Sequence, residues 1–195
     1  NWDISGAGKV RVIETSAGGC VGTPAEINIT IAERPAKRAL SGQDTICEFS
    51  NNLLYQVTPT INNTYKWFVS GGTIVANPQP HQIRVNWGGI GQGEIKMIET
   101  NVAGCPGDTN RFPVLKTRSL LDTLYGSPSV CPNIRGVEYY VDAQSGANYQ
   151  WFVEGGTLRS GNGTPKIIVD WGDIGFGRVK VIETLKWGCV GDTVY

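Results

Sequence analysis

The sequence is short of most things that a catalytic, metal-binding or membrane-spanning chain needs. Among 195 residues there is one histidine, His81, and one methionine. A single imidazole excludes a multi-histidine metal site and leaves the C-terminal third with no Ser-His-Asp set. Charge is sparse at 17%, and 17 basic residues against 17 acidic ones give a net charge of zero. That balance removes the electrostatic case for nucleic acid or an anionic membrane surface as partner. No apolar run approaches the ~20 residues of a membrane span, and no stretch carries helical periodicity. No C-x-x-C pair points to zinc. Glycine, by contrast, is abundant at 26 residues, about twice its usual share, which suits short strands joined by tight turns.

One stretch is written three times. Its middle copy runs Val85-Asn86-Trp87-Gly88-Gly89-Ile90-Gly91-Gln92-Gly93, continues through Met97-Ile98-Glu99-Thr100 and ends at Gly104-Cys105. Trp2, Trp87 and Trp171 stand 85 and 84 residues apart, as do Glu14, Glu99 and Glu183, and Cys20, Cys105 and Cys189. This predicts a tandem array of modules about 84 residues long: the C-terminal part of one module in 1–35, a full module in 36–118 and another in 119–195. Because the chain opens in mid-module, its natural N-terminus is expected upstream. The link from Ala36 to Ser41 is short and has no Gly/Ser-rich spacer, so successive modules should follow closely.

The alternation is that of strands. Ile27, Ile29 and Ile31 alternate with polar or small residues, as do Tyr65, Trp67 and Val69, and Ile83, Val85 and Trp87. Period two marks half-buried strands. Tyr149 to Val153 and Ile167 to Trp171 repeat the pattern in the last module. The phase places Trp2, Trp67, Trp87, Trp151 and Trp171 in the core. Adjacent Met97 and Ile98 predict a bulge or a strand buried on both faces, and Ser70-Gly71-Gly72-Thr73 predicts a tight turn between strands. About seven short strands per module indicate an all-β, immunoglobulin-like sandwich.

The cysteines fall into line with the repeat. Cys47 and Cys131 sit early in their modules, Cys105 and Cys189 late, which predicts one disulfide per module, Cys47–Cys105 and Cys131–Cys189. Each would close a loop of roughly 60 residues and stabilise by about 4 kcal/mol. Cys20 is the late cysteine of the first module, left unpaired by truncation. Disulfides imply an oxidising, extracytoplasmic location; reduced structural cysteines are the alternative.

Tyr65 to Ile74, Ile83 to Gly88 and Gly104-Cys105, matched by Tyr149 to Leu158, Val169 to Gly172 and Gly188-Cys189, make nearly the whole chain resemble the PKD-like repeat. Such repeats occur in long arrays in surface proteins of gliding bacteria that export cargo by type IX secretion. The resemblance implies an extracellular stalk or adhesin segment. Asp44-Thr45-Ile46, Asp122-Thr123-Leu124 and Asp192-Thr193-Val194 also resemble the O-glycosylation signal of those bacteria, making Thr45, Thr123 and Thr193 candidate sugar acceptors.

No residue set makes a convincing catalytic or cofactor site. The repeated glutamates lack a partner carboxylate for glycoside hydrolysis and are expected to pair with a basic residue or a backbone amide. Gly91-Gln92-Gly93 and Gly175-Phe176-Gly177 lie between no strand and helix, so they read as turns, not phosphate loops. Asp170 and Asp173 could offer oxygens to calcium, but Asn86 and Gly89 replace them in the preceding module. Trp187, which replaces Ala103 in a loop, is the candidate exposed contact. The reading is thus a non-enzymatic stalk whose partners are neighbouring modules, with lateral self-association, surface glycans or adhesin proteins as further candidates. The alternative is a polysaccharide- or protein-binding module that uses Trp187 or the His81 loop.

Overall fold

The computed structural model describes residues 5–195 and is built from strands alone. Trp2 lies outside the described residues. The first module contributes one hairpin, β1 (Gly6–Val12) against β2 (Ala25–Ile31), in continuous antiparallel register. The isoleucine alternation of β2 is present, but Ile27 stays 62% exposed, because no facing sheet packs on this hairpin among the described residues.

The second module is a two-sheet sandwich. Its strands are β3 (Leu40–Ser41), β4 (Thr45–Cys47), β5 (Leu53–Val57), β6 (Thr64–Ser70), β7 (Gly72–Ala76), β8 (Gln82–Trp87), β9 (Gly91–Thr100) and β10 (Asn110–Thr117). One sheet has the order β4-β10-β9-β6 and the other β3-β5-β8-β7. The inner faces meet in a core of Ile46, Tyr55, Ile83, Val85, Trp87, Ile95 and Val114.

The third module repeats the plan with β11 (Tyr125–Gly126), β12 (Val137–Tyr140), β13 (Asn148–Glu154), β14 (Gly156–Ser160), β15 (Lys166–Trp171), β16 (Arg178–Thr184) and β17 (Val190–Val194). Its sheets are β13-β16-β17 and β11-β12-β15-β14, around Tyr149, Trp151, Ile167, Val169 and Val181. Trp151 and Trp87 are buried, as the alternation predicts, while Trp67 and Trp171 are half-buried on the same inward phase.

Two local expectations are corrected. Met97 and Ile98 mark no bulge: β9 pairs with β6 and β10 without a register shift, Met97 points inward and Ile98 is half-buried on the other face. Register shifts fall instead at Ile74/Ala76 and Leu158/Ser160, and in the third module at Ile182/Thr184, where β16 meets β17. The Gly71-Gly72 step is not a hairpin turn either, since β6 and β7 belong to different sheets. The chain crosses there with Gly71 and its copy Gly155 both at φ 75°, a left-handed conformation that favours glycine.

The same crossing explains the Gly-rich copy. A Cβ on Gly93 would lie 2.5 Å from Trp87 Cζ3, and one on Gly72 2.8 Å from Trp87 Cε3. Gly177 and Gly156 crowd Trp171 in the same way. These glycines leave room for an indole between the sheets.

Candidate functional site: the junction between modules

Where one module hands over to the next, the connecting chain is fastened by a carboxylate. Glu99 on β9 and Glu183 on β16 are 1% and 0% exposed. Each receives a tyrosine from the adjacent strand: Tyr65 OH donates to Glu99 Oε1 at 3.3 Å, and Tyr149 OH to Glu183 Oε1 at 3.0 Å. Each tyrosine oxygen in turn accepts a backbone N–H five residues upstream, from Thr60 and Gln144, both at 2.7 Å. This fixes a strand corner in the manner of sandwich folds.

The remaining donors differ. Glu99 takes Asn63 Nδ2 at 2.7 Å and pairs with Arg38 Nε at 3.1 Å. Arg38 lies on the link from the first module, and its backbone N–H also donates to the buried Asn110 at 2.7 Å. Glu183 instead accepts the hydroxyl of Ser119, which begins the third module's link. The expected partner is a basic residue or a backbone amide; Glu99 has the basic residue, whereas Glu183 has the Ser119 and Tyr149 hydroxyls. Glu14, in the partial module, is exposed. Glu14 and Glu99 share a backbone contact, their carbonyls accepting from the Gly22 and Gly107 N–H groups, both at 2.8 Å.

Burial acts most strongly on the Glu99 carboxyl and pushes its pKa up. The donors around it and the Arg38 charge together outweigh burial and hold it below the ordinary carboxylate range. Burial, and then the Glu183 carboxylate, push the Tyr149 hydroxyl above its ordinary range against the opposing bond from Gln144. Tyr149 therefore remains a donor.

The cysteines complete the junction, but not in the expected pairs. Cys47 is bonded to Cys189, 142 residues away, with Cα atoms 5.3 Å apart. Cys105, Cys131 and Cys20 are free thiols. The in-module pairs fail on distance. Cys47 sits beside Thr117, where β10 leaves the module, whereas Cys105 lies beyond the other end of β9 and β10. Eight residues of extended strand separate the two ends by roughly 25 Å, far beyond the ~7 Å limit for a disulfide. Cys189 occupies the facing end of the next module, with its sulfur near Thr117 O, and Glu48 N–H donates to that same carbonyl at 2.8 Å. Arg118 reaches Glu48 at 3.6 Å across the step. One bond therefore ties the two modules together; neither module has its own.

The other candidates are placed as follows. His81 is half-buried between β7 and β8, and its carbonyl accepts from Val57. Asp170 accepts the Gly136 N–H at 2.8 Å and Asp173 the Asn133 amide at 2.9 Å. Asn86 does the work of Asp170 in the second module, binding Asn52 N–H, so both positions serve loop structure. No cluster of three metal-ligating side chains occurs among the described residues. Thr45 is half-buried in the β4–β10 ladder, while Thr123 and Thr193 are exposed. Trp187 is 44% exposed beside Cys189, with Lys186 Nζ 4.5 Å from its ring centroid. Sequence reasoning missed Arg38, Asn63, Asn110 and Ser119, because none recurs at the module spacing.

A groove of about 620 Å³ opens in the third module between the loop holding Val130 and Cys131 and the stretch from Trp171 to Val179. In the second module the matching segment is β4, which closes that edge by pairing with Leu115–Thr117. No described helix is long and apolar enough to cross a membrane.

Two immunoglobulin-like sandwiches in tandem, joined pole to pole, define a modular repeat protein. The PKD-like domain family model matches residues 33–114 and 119–192, and the chain belongs to that family. No curated protein sequence matches it. Among solved structures it is similar to fibronectin(III)-like modules of Clostridium thermocellum CbhA, at 11% identity and TM-score 0.38, over 80% of this chain and 92% of that one. The chicken CNTN1 FN1-FN3 domains match at 10% and 0.34, over 95% and 75%. Bacteroides ovatus SGBP-B, solved with a mixed-linkage heptasaccharide, matches at 13% and 0.25; this chain covers 97% of itself but about half, 53%, of that protein. PKD-like modules and a disulfide are typical of extracellular proteins.

Proposed function

We propose that the chain is a force-transmitting, non-enzymatic stalk segment of a secreted surface protein, holding a functional tip away from the cell. The observation that carries this is the Cys47–Cys189 bond. A pull applied to the two ends enters at Cys47, crosses the disulfide and leaves at Cys189, so the residues between them are shielded. Under intramodular pairing, the link between modules would carry load unprotected. The PKD-like resemblance supports a finer reading, that the parent is a gliding-associated, type IX-secreted adhesin. Sugars on the exposed Thr123 and Thr193 would then shield strand edges, with Thr45 the least accessible of the three.

Pulling single molecules tests the mechanical reading. With a separation of 142 residues at roughly 3.3–3.6 Å per residue, about 500 Å of chain is hidden inside the loop. The oxidised chain should release none of it, and reductant should release it in module-sized steps. Module-sized steps from the oxidised chain would overturn the proposal.

The exposed Trp187 favours a second reading, binding of a polysaccharide or protein at the junction. A glycan array tests it: binding abolished by Trp187→Ala supports the second reading, and no binding to any glycan counts against it.

A further inference from the structure

We infer that Cys131 and Cys105 are each one half of an intermodular bond of the Cys47–Cys189 kind, and so each a covalent docking site for a further PKD-like module. This rests on the stalk reading, in which modules continue in series. The partner for Cys131 is a late cysteine in a Gly-Cys turn, and the partner for Cys105 is an early cysteine of the Cys47 kind.

Each free cysteine is held in the backbone frame of its bonded copy. At the early position, Phe49 N–H donates to Gly88 O, and Asn133 N–H donates to Gly172 O in the same way. Ser50 N–H bonds Cys47 O, and Ile134 N–H bonds Cys131 O. Phe49 and Asn133 share a left-handed φ of 56° and 57°. At the late position, Leu185 N–H donates to Cys189 O at 2.9 Å and Gly188 N–H to Leu185 O at 2.8 Å. Around Cys105 the same two bonds run from Asn101 and Gly104, at 3.1 and 3.0 Å, and around Cys20 from Ser16 and Gly19, both at 2.9 Å. Gly188, Gly104 and Gly19 have φ of 86°, 81° and 82°. The surroundings match too: Cys189 lies near Thr117 O, and beside Cys105 the Asn101 amide donates to Glu33 O at 2.6 Å, Glu33 being the copy of Thr117 one module earlier. Two of these frames hold a disulfide; the others share the turn but not all of its surroundings, since the β4–β10 pairing that flanks Cys47 has no counterpart at the exposed Cys131 among the described strands.

The chemistry is thiol–disulfide exchange. A thiolate of the pair attacks an exchanging disulfide such as oxidised glutathione and releases one glutathione thiolate; the second thiolate then attacks the protein sulfur of the mixed disulfide and displaces the other glutathione. One S–S bond forms in the array, the reagent's S–S bond breaks, and the two electrons and two protons leave on two glutathione thiols. Repeated along an array, the loops overlap, because the Cys47–Cys189 loop contains Cys131. Every link between modules then lies inside a loop, and a single backbone cut leaves the array in one piece.

Two measurements test this. In the full chain kept without reductant or added disulfide, iodoacetamide should label Cys20, Cys105 and Cys131 and leave Cys47 and Cys189 unlabelled. Trypsin cleavage at Arg118 should yield one band without reductant and two with it. In the full chain extended at its C-terminus by residues 112–118 and then a second copy of residues 119–195, which keeps the 84-residue period, Cys131 should become protected and appear in a peptide linked to the added copy's late cysteine. Cys131→Ser in that chain should return the late cysteine to full labelling, and circular dichroism confirms that the variant folds. Cys131 labelled fully in the extended chain, or joined to Cys189, overturns the inference. The stalk reading is judged separately by the pulling experiment on the unextended chain.

Discussion

The second and third modules hold the same buried carboxylate by different means. Glu99 is matched by a cation and an amide, Arg38 and Asn63; Glu183 is matched by the Ser119 hydroxyl. Asp122 and Ala147 stand where the repeat would place copies of Arg38 and Asn63. The tyrosine bond is shared, and so is the link's position against the strand. The fold therefore requires an acceptor that receives the incoming link, while the donor varies with local sequence. A carboxylate has several lone pairs and accepts from neutral or charged donors alike.

The largest effect should come from the feature the modules share. The Cys47→Ser, Cys189→Ser double variant loses a closure of 142 residues, worth about 5 kcal/mol in the chain-entropy picture. Denaturant melts of the variant should show the two modules separating into independent transitions. A melt identical to the parent's would mean that the bond does not couple them.

Next, Arg38→Ala strands a buried carboxylate without its cation and should cost about 3 kcal/mol, confined to the second module. Amide exchange localises the loss: faster exchange at Met97 with Val181 unchanged is the expected result, and equal loss in both modules would contradict it. Ser119→Ala, the corresponding change in the third module, should cost only about 1 kcal/mol.

Gly93→Ala and Gly177→Ala probe what the modules do not vary. Both drive a methyl into an indole and should cost a similar 1–3 kcal/mol, about the usual penalty for overpacking. Clearly unequal melting shifts would show that the two tryptophan seats differ.

The smallest effect is on pH dependence. The folded pKa of Glu99 lies below its ordinary value of 4.5. The ionised form therefore stabilises the second module fully above that value, and the contribution disappears as the pH falls through the lower, folded pKa. Exchange protection at Met97 should decline on acidification below about pH 4.5, and Glu99→Gln should flatten that decline. An unaltered profile in the variant would assign the acid sensitivity elsewhere.

Much of this was legible in the residues. The 84-residue spacing of Trp, Glu and Cys marks the repeat, and Ile83-x-Val85-x-Trp87 marks a strand with one buried face, because side chains alternate across a pleat. The Gly-rich copy reads as tight turns in the sequence, but the room it leaves for Trp87 and Trp171 needs the facing sheet to be seen. Arg38 and Ser119 were not legible as partners of the glutamates. They sit in links whose path depends on where the preceding module ends.

The sequence by itself determined the all-β character, the period and which positions are early or late in a module, because these follow from side-chain alternation and self-similarity along one dimension. Only the tertiary structure decided which sulfurs meet. Closing a 142-residue loop in place of one of roughly 60 costs only about 0.8 kcal/mol more in chain entropy, too little to choose the pairing. The distance along a rigid sandwich does choose it: Cys47 and Cys105 lie at opposite poles, whereas Cys47 and Cys189 come within 5.3 Å at Cα across the junction.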